Sequence, residues 1–297
     1  MSASWVHILF ALLLAPLFPG IINRVKARFA GRQGSPLFQL YFDLIKLLKK
    51  GAVFSSSSTW LFRAGSIVGL ATAFLALLWV PAWGCTSLLQ IQGDFFIFAY
   101  LLGLGRFMTM LSALDTGSAF EGMGASREAF FAALSEPALL LGLAVLARFT
   151  HTLSLSGIYL ASPTIPLPVT FFLFVTFAIL FLTENARIPV DDPNTHLELT
   201  MIHEVMILDH SGPDLALIEY AGALRLWVTG LLVVNLIPFR TGHLFYDLLL
   251  CGLALAGWAV VVGIIESSMA RLRLNHIPLL LGVAFVLSVL SLFWVVK

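Results

Sequence analysis

The sequence has little charge: only 11% of its 297 residues are Asp, Glu, Lys or Arg. A soluble domain carries roughly one quarter, so a single large soluble core is excluded. Cysteine is scarce as well. Cys85 and Cys251 are the only two, too few for an iron–sulfur site or a disulfide framework. A formal net charge of +1 comes with no basic groove and no aromatic platform for nucleic acid. No basic segment precedes the first apolar run. The basic cluster follows it, so the run reads as a retained span rather than a signal peptide. What fills the chain is hydrocarbon, with 59% hydrophobic residues and a mean hydropathy of +0.96. The apolar runs are too long and unbroken for the alternating strands of an outer-membrane barrel.

A helix needs about 20 apolar residues to cross the hydrocarbon. On that basis spans are expected near residues 5–22, 64–83, 95–114, 129–148, 168–184, 224–241, 245–268 and 278–296. The fold class is therefore all-α: a polytopic membrane bundle of about eight helices, one membrane domain over residues 1–297. With this map, thirteen of the seventeen basic residues fall on one side, Arg148, Arg240 and Lys297 on the other, and Arg106 inside the third span. The positive-inside rule then puts the large loops inside and both termini outside. Residues 35–53 include SPLFQLYFDLIKLLKK, with leucines and Tyr41 on one helical face and Asp43, Lys46, Lys49 and Lys50 mostly on the other. It is too charged to span, so an amphipathic helix in the inner interface is expected.

Ionisable groups at membrane depth are costly and mark function by default. Arg106 is one, and Asp115 stands too far along the helix to be its automatic partner. Glu128 and Glu136 are eight residues apart, on a broad shared helical face. Glu136 sits in ALSEPALLLG, where burial favours the protonated carboxyl unless a cation solvates it. Proton transfer and a hydrogen bond tying two helices are both open readings of Glu136. Glu184 ends the fifth span with Arg187 three residues on, close enough to pair. Glu266 precedes SSMARLR, and pairing with Arg273 or snorkelling would each account for it.

Half of the sixteen acids, eight of them, lie between Thr183 and Tyr220, with three of the seven histidines. Nothing about solubility requires such a cluster between two spans, so residues 185–223 are expected to be a polar cytoplasmic loop. Asp191 and Asp192 suit a shared cation or separate backbone caps equally. His203, Glu204, Asp209 and His210 lie in HEVMILDH. This is not the zinc motif HExxH, since Ile207 stands where its second histidine would be. Proton shuttling by His203 or His210 and docking of a soluble partner remain as readings. Docking is the stronger, through Asp191, Asp192, His196, His203, Glu204, Asp209 and His210.

Several strings carry a family resemblance: SPLFQLYFDLIKLLKK, LDTGSAFEGMGASREAFFAALSEPALLLG, ENARIPVDDPNTHLELT, DHSGPDLALIEYA and ESSMARLRL. Together they resemble the membrane subunit shared by respiratory complex I (its subunit 1) and the membrane-bound group 4 nickel–iron hydrogenases, the formate hydrogenlyase and hydrogenase-4 branch in particular. The resemblance covers nearly the whole chain. It implies eight spans with a slanted surface helix, at the joint between a soluble redox arm and antiporter-like membrane subunits. It also implies glutamates feeding a proton path, here Glu136, Glu184, Glu128, Glu198 and Glu266 together with Arg106. The central loop departs from the family pattern, which is like PFDLPEAExELxxG followed by EYSG. Asp191 and Glu198 match family acids, but Asn194 and His196 stand at acidic positions, and Asp209 and His210 replace the Glu–Tyr pair.

The leading expectation is a non-catalytic coupling subunit in the cytoplasmic membrane of a prokaryote. It has no cofactor of its own; iron–sulfur clusters and a nickel–iron centre would sit in soluble large and small partner subunits. A quinone-cavity subunit of an NADH or ferredoxin dehydrogenase is the alternative, and an independent secondary transporter the third. A transporter predicts an internal repeat and broken helices near mid-membrane, and no clear repeat is visible.

Overall fold

The structure, a computed structural model, describes residues 2–161, 165–192, 201–237 and 241–296. The expectations for His196 and Glu198 fall on residues 193–200 and lie outside the described residues. Backbone polar groups have no water to bond inside a bilayer, so a spanning segment must satisfy them within itself. The apolar runs accordingly form helices: α1 (Ser2–Leu14), α2 (Leu17–Phe29), α3 (Gln39–Leu48), α4 (Trp60–Trp79), α5 (Asp94–Asp115), α6 (Ala119–Thr150), α7 (Leu155–Ala161), α8 (Leu167–Glu184), α9 (His203–Met206), α10 (Gly212–Val234), α11 (Leu244–Ser268) and α12 (Ile277–Val296). Among the described residues seven helices are long and apolar enough to cross a membrane, and eight if α1 and α2 count as one span. The protein is a multi-pass, all-α membrane bundle.

The expected first span, 5–22, is two helices bent by 46°. Pro16 precedes α2 at its N-cap position, and a proline interrupts the helical hydrogen-bond ladder. The expected span 224–241 also shifts. Its helix starts at Gly212 and ends at Val234, so the last third of the expected 185–223 loop is helical. Ser211, Pro213 and Asp214 supply the start: an extended N-cap residue, a proline in the first turn and a first-turn acid. α6 likewise begins at Ala119, well before the expected 129.

Contacts between connections define two ends of the bundle. At one end Thr59 bonds Asp115, Val53 meets Ser211, Asp209 meets Glu121, and Arg271 pairs with Asp191. At the other, Ser87 bonds Ser156, Gly93 bonds Leu153, and Asn235 reaches the Pro81 carbonyl. Asp94 and Asp247 belong to this second end. Asp94 accepts from the Leu155 N–H (2.6 Å) and Ser154 Oγ (2.9 Å). Asp247 accepts from the Thr241 N–H and hydroxyl. Asp94 thus satisfies the first N–H of α7, and Asp247 holds the Thr241 turn that leads into α11.

α10 runs through the middle, buried on most sides, and packs against α3, α4, α8 and α11. α12 closes the bundle against α6 and α8, and α11 lies along α2. α3 is seated by Tyr41, whose hydroxyl donates to the Leu13 carbonyl. Its Phe38, Phe42, Ile45 and Leu48 stay exposed. At Gly124 a side chain would collide with Val205 and the Ile202 carbonyl. This glycine lets α9 lie directly on α6 and fixes the polar segment against the bundle.

Candidate functional site

Arg106 organises the buried charge. It lies nine residues from the end of α5 at Asp115, about 13 Å along the helix, and its side chain is only 5% exposed. Its Nη2 donates to Glu136 Oε1 at 3.0 Å, and its Nη1 to Ser135 Oγ at 3.3 Å. The same Nη1 stands 3.1 Å from Glu184 Oε1, an ion pair without hydrogen-bond alignment. One guanidinium thus bridges a carboxylate of α6 and a carboxylate of α8. Asp115 is not a partner; it accepts from the Thr59 N–H and hydroxyl.

The two carboxylates differ in setting. Glu184 is 6% exposed, at the C-terminus of α8. Glu136 is 43% exposed, and it lies fourteen residues before the far end of α6, about 21 Å from it. The expectation of an enclosed, apolar setting for Glu136 is therefore corrected: Glu184 is the enclosed member and Glu136 opens on the flank of the bundle. Two features open that flank. Pro137 has no N–H, leaving the Ala133 carbonyl without its helical donor. Gly103 faces Glu136, where a Cβ would stand 3.1 Å from Oε1. Glu128, on the same helix, is within electrostatic reach of Arg106, Glu184 and Arg225.

Glu184 also borders a cavity of about 130 Å³ at the charged end. Its polar walls are Arg187, His203, Glu204, Glu219 and Arg225, and Pro19 of α2 closes one side. Asn185 fixes this corner by donating to the Phe181 carbonyl and to Thr229 Oγ1, both at 2.8 Å. Arg187 does not pair with Glu184 as its spacing suggested. The chain turns through Ala186 at φ 48°, which carries Arg187 away to Glu266 Oε1 at 3.6 Å. Glu266 is a buried anchor: Lys26 Nζ holds its other oxygen at 2.8 Å. Lys26 and Arg187 take the place expected for Arg273.

The polar segment faces inward more than expected. Asp191, expected on a docking surface, is buried. It accepts from the N–H groups of Asp192, Ile202 and His203 at 2.9–3.1 Å and pairs with Arg271 at 2.9 Å. Burial pushes its carboxyl up from the ordinary range, opposed by those N–H groups and Arg271. Asp191 ties the segment together and does not point to a partner. Asp192 is half-buried beside it.

His210 is buried, stacked on Phe62 at 3.9 Å between ring centroids and 9° between planes. The Ser112 hydroxyl donates to the Phe62 carbonyl, so His210 Nε2 is the donor in the 3.1 Å contact with Ser112 Oγ. Burial holds His210 down at about 4, and burial followed by the Arg225 charge holds His203 down at about 3. Both are held toward the neutral form. Asp209 is exposed.

Glu204 behaves differently. Burial first, then the Glu219 and Asp191 carboxylates, push it up to about 7, while Arg187 opposes the shift. An unfolded glutamate titrates near 4.3, so between those values the folded chain binds the extra proton. Its stabilising contribution is full below about pH 4 and is lost as pH rises through about 7. Glu204→Gln is expected to flatten the fall in melting temperature between about pH 5 and pH 8. The effect is about 1–2 kcal/mol after discounting for partial exposure. Identical melting profiles for variant and wild type would contradict the assignment.

Arg225 and Glu219 were not singled out from the sequence as site residues, yet both line the cavity. Their signal was a helix start at Ser211–Pro213, which places 219, 222, 225 and 226 on one face.

The sequence profile of the NADH dehydrogenase family matches residues 2–296. The chain belongs to this family. Its relatives include formate hydrogenlyase subunit 4 of Escherichia coli (strain K12), 33% identical over 286 residues, with 91% of this chain and 90% of the relative covered. Hydrogenase-4 component C of the same organism is 33% identical over 294 residues, covering 95% and 92%. Among solved structures, a chain of the membrane-bound sulfane sulfur reductase, an archaeal respiratory membrane complex, superposes with a TM-score of 0.85. It covers 99% of this chain and 98% of that one at 17% identity, a likeness of fold. Among the described residues no group of His, Cys, Asp and Glu could hold a metal ion.

Proposed function

We propose that this member of the NADH dehydrogenase family anchors a soluble electron-transfer arm and couples its reaction to movement of protons or sodium ions. The chain is a membrane subunit of an energy-converting complex of the formate hydrogenlyase and hydrogenase-4 kind. Soluble redox subunits, carrying iron–sulfur clusters and a nickel–iron centre, would dock at the charged end, which the basic-residue bias makes the inner one. Antiporter-like membrane subunits would flank it.

One observation carries the coupling reading. Arg106 joins Glu184, on the wall of the inner cavity, to Glu136, on the flank of the bundle. A proton or charge shift arriving at Glu184 changes what Arg106 offers Glu136, because a guanidinium with two carboxylate partners binds one more tightly when the other is neutralised. The flank carboxylate would then pass the change to the next membrane subunit. Glu128 and Arg225 set the field around the pair, and Glu204 titrates near neutrality at the entrance. A cavity this small and this charged suits water and ions better than a quinone ring, which favours coupling over the quinone-cavity alternative.

Purified chain alone in liposomes is expected to move no ions and transfer no electrons. The whole complex is expected to do both when supplied with electron donor and acceptor. Substrate or ion flux through the chain alone would support the transporter reading and overturn this one.

A further inference from the structure

A second cavity, of about 420 Å³, opens at the charged end between the 53–58 loop and the 208–211 turn. We infer that this groove seats a basic side chain flanked by aliphatic residues, contributed by a soluble subunit of the complex. The inference deepens the docking part of the function proposed above and rests on it.

Val53, Phe54, Phe62 and Leu208 give the groove its apolar lining, interleaved with Ser55, Ser58, Thr116 and Ser211. Val53 is 76% exposed and Leu208 is also exposed. Both line the groove at the charged end, outside α4 and α5. The groove is held open by fixed contacts. The Val53 N–H donates to Ser211 Oγ at 3.1 Å, and Asp115 clamps Thr59 at 2.6 and 2.7 Å.

Its floor has a charge deficit. Asp209 lines it and is exposed; its backbone N–H donates to Glu121 Oε1 at 3.2 Å. Glu121 is 1% exposed, and its Oε2 has no hydrogen-bond partner. Its carboxyl lies beside Asp209 and Thr116, two residues that line the groove. Among the described residues no ion pair reaches Glu121 or Asp209. The other buried acids of this end are compensated: Asp191 by Arg271, Glu266 by Lys26, Asp214 by Arg63. Arg63 is close by, with its side chain 62% exposed, 3.8 Å from Asp214 and over the Phe54 ring at 5.2 Å, and it makes no ion pair with Asp209 or Glu121 among the described residues. A buried carboxylate without a cation is costly; an incoming guanidinium or ammonium would pair with Asp209 in the groove and bring a positive charge near the Glu121 carboxyl behind it. Two acids repel an anionic lipid headgroup, so charge complementarity selects a cationic protein segment.

A photo-reactive phenylalanine analogue at position 53 of the intact complex tests the seat. The expected adduct is with a soluble subunit, on a peptide containing Arg or Lys. An adduct with lipid or with another membrane subunit would overturn the inference. Asp209→Lys is expected to weaken retention of the soluble arm on washed membranes roughly tenfold or more, with a smaller loss for Glu121→Gln. Unchanged retention in both variants would overturn the groove while leaving docking intact. A soluble arm missing from wild-type membranes as well would instead sink the docking reading. If Asp209→Lys fails to accumulate, the adduct at position 53 decides.

Discussion

Arg106→Leu is expected to lower the stability of the membrane bundle more than any other single change at the site. The substitution removes a 5%-exposed cation and strands Glu184, itself 6% exposed, without its ion-pair partner. Breaking a buried pair from one side costs about 3–5 kcal/mol, because the remaining charge stays desolvated. Glu136 is 43% exposed and so less enclosed by the bundle than Glu184. The melting temperature of the purified complex should therefore fall by many degrees. Arg106→Leu combined with Glu184→Leu should recover much of the loss, because two apolar groups of similar shape leave no buried charge. A thermodynamic cycle over the two variants reports this as a large coupling energy. Additive losses, or an unchanged melting temperature in Arg106→Leu, would show that the bridge is not formed.

Glu184→Gln is expected to leave assembly intact and to uncouple the complex. Glutamine keeps the size of glutamate and still offers an acceptor to Arg106, but has no exchangeable carboxyl proton. Arg106 retains its hydrogen bonds to Glu136 and Ser135, so the structural cost is far smaller than for Arg106→Leu. A relay that loses an acid–base group slows by roughly a hundredfold or more. Electron transfer within the soluble arm does not use this carboxylate directly and should proceed, or slow only through back-pressure from the blocked membrane step.

The membrane fold was legible because the hydrocarbon runs are long and a span has no alternative but helix. The breaks were less so. Pro16 lies inside the first apolar run, and hydropathy alone reads through it; the bend at this break appears only in the folded chain. The early start of α10 is written in Ser211–Gly212–Pro213–Asp214, but these residues sit among acids that give the whole stretch a loop-like polarity. That one misjudged boundary hid Glu219 and Arg225. Arg106, Glu136 and Glu184 were visible as charges at depth, whereas their joining was not. Pairing across α5, α6 and α8 depends on helix rotation, which sequence spacing within one helix does not report. The inward turn of Asp191 was illegible for a related reason. A carboxylate that faces a partner and one that caps its own segment have the same residue type, and only the distances to Ile202, His203 and Arg271 separate them.

The ratio of ions taken up to electrons transferred, in liposomes containing the whole complex, tests the central claim most directly. Wild type and Glu184→Gln are compared at equal content of assembled soluble and membrane subunits, with proton and sodium uptake recorded separately. The account predicts electron transfer with ion uptake reduced roughly a hundredfold in the variant. Uptake at the wild-type ratio would contradict it and leave the Glu184–Arg106–Glu136 bridge a structural tie between α5, α6 and α8.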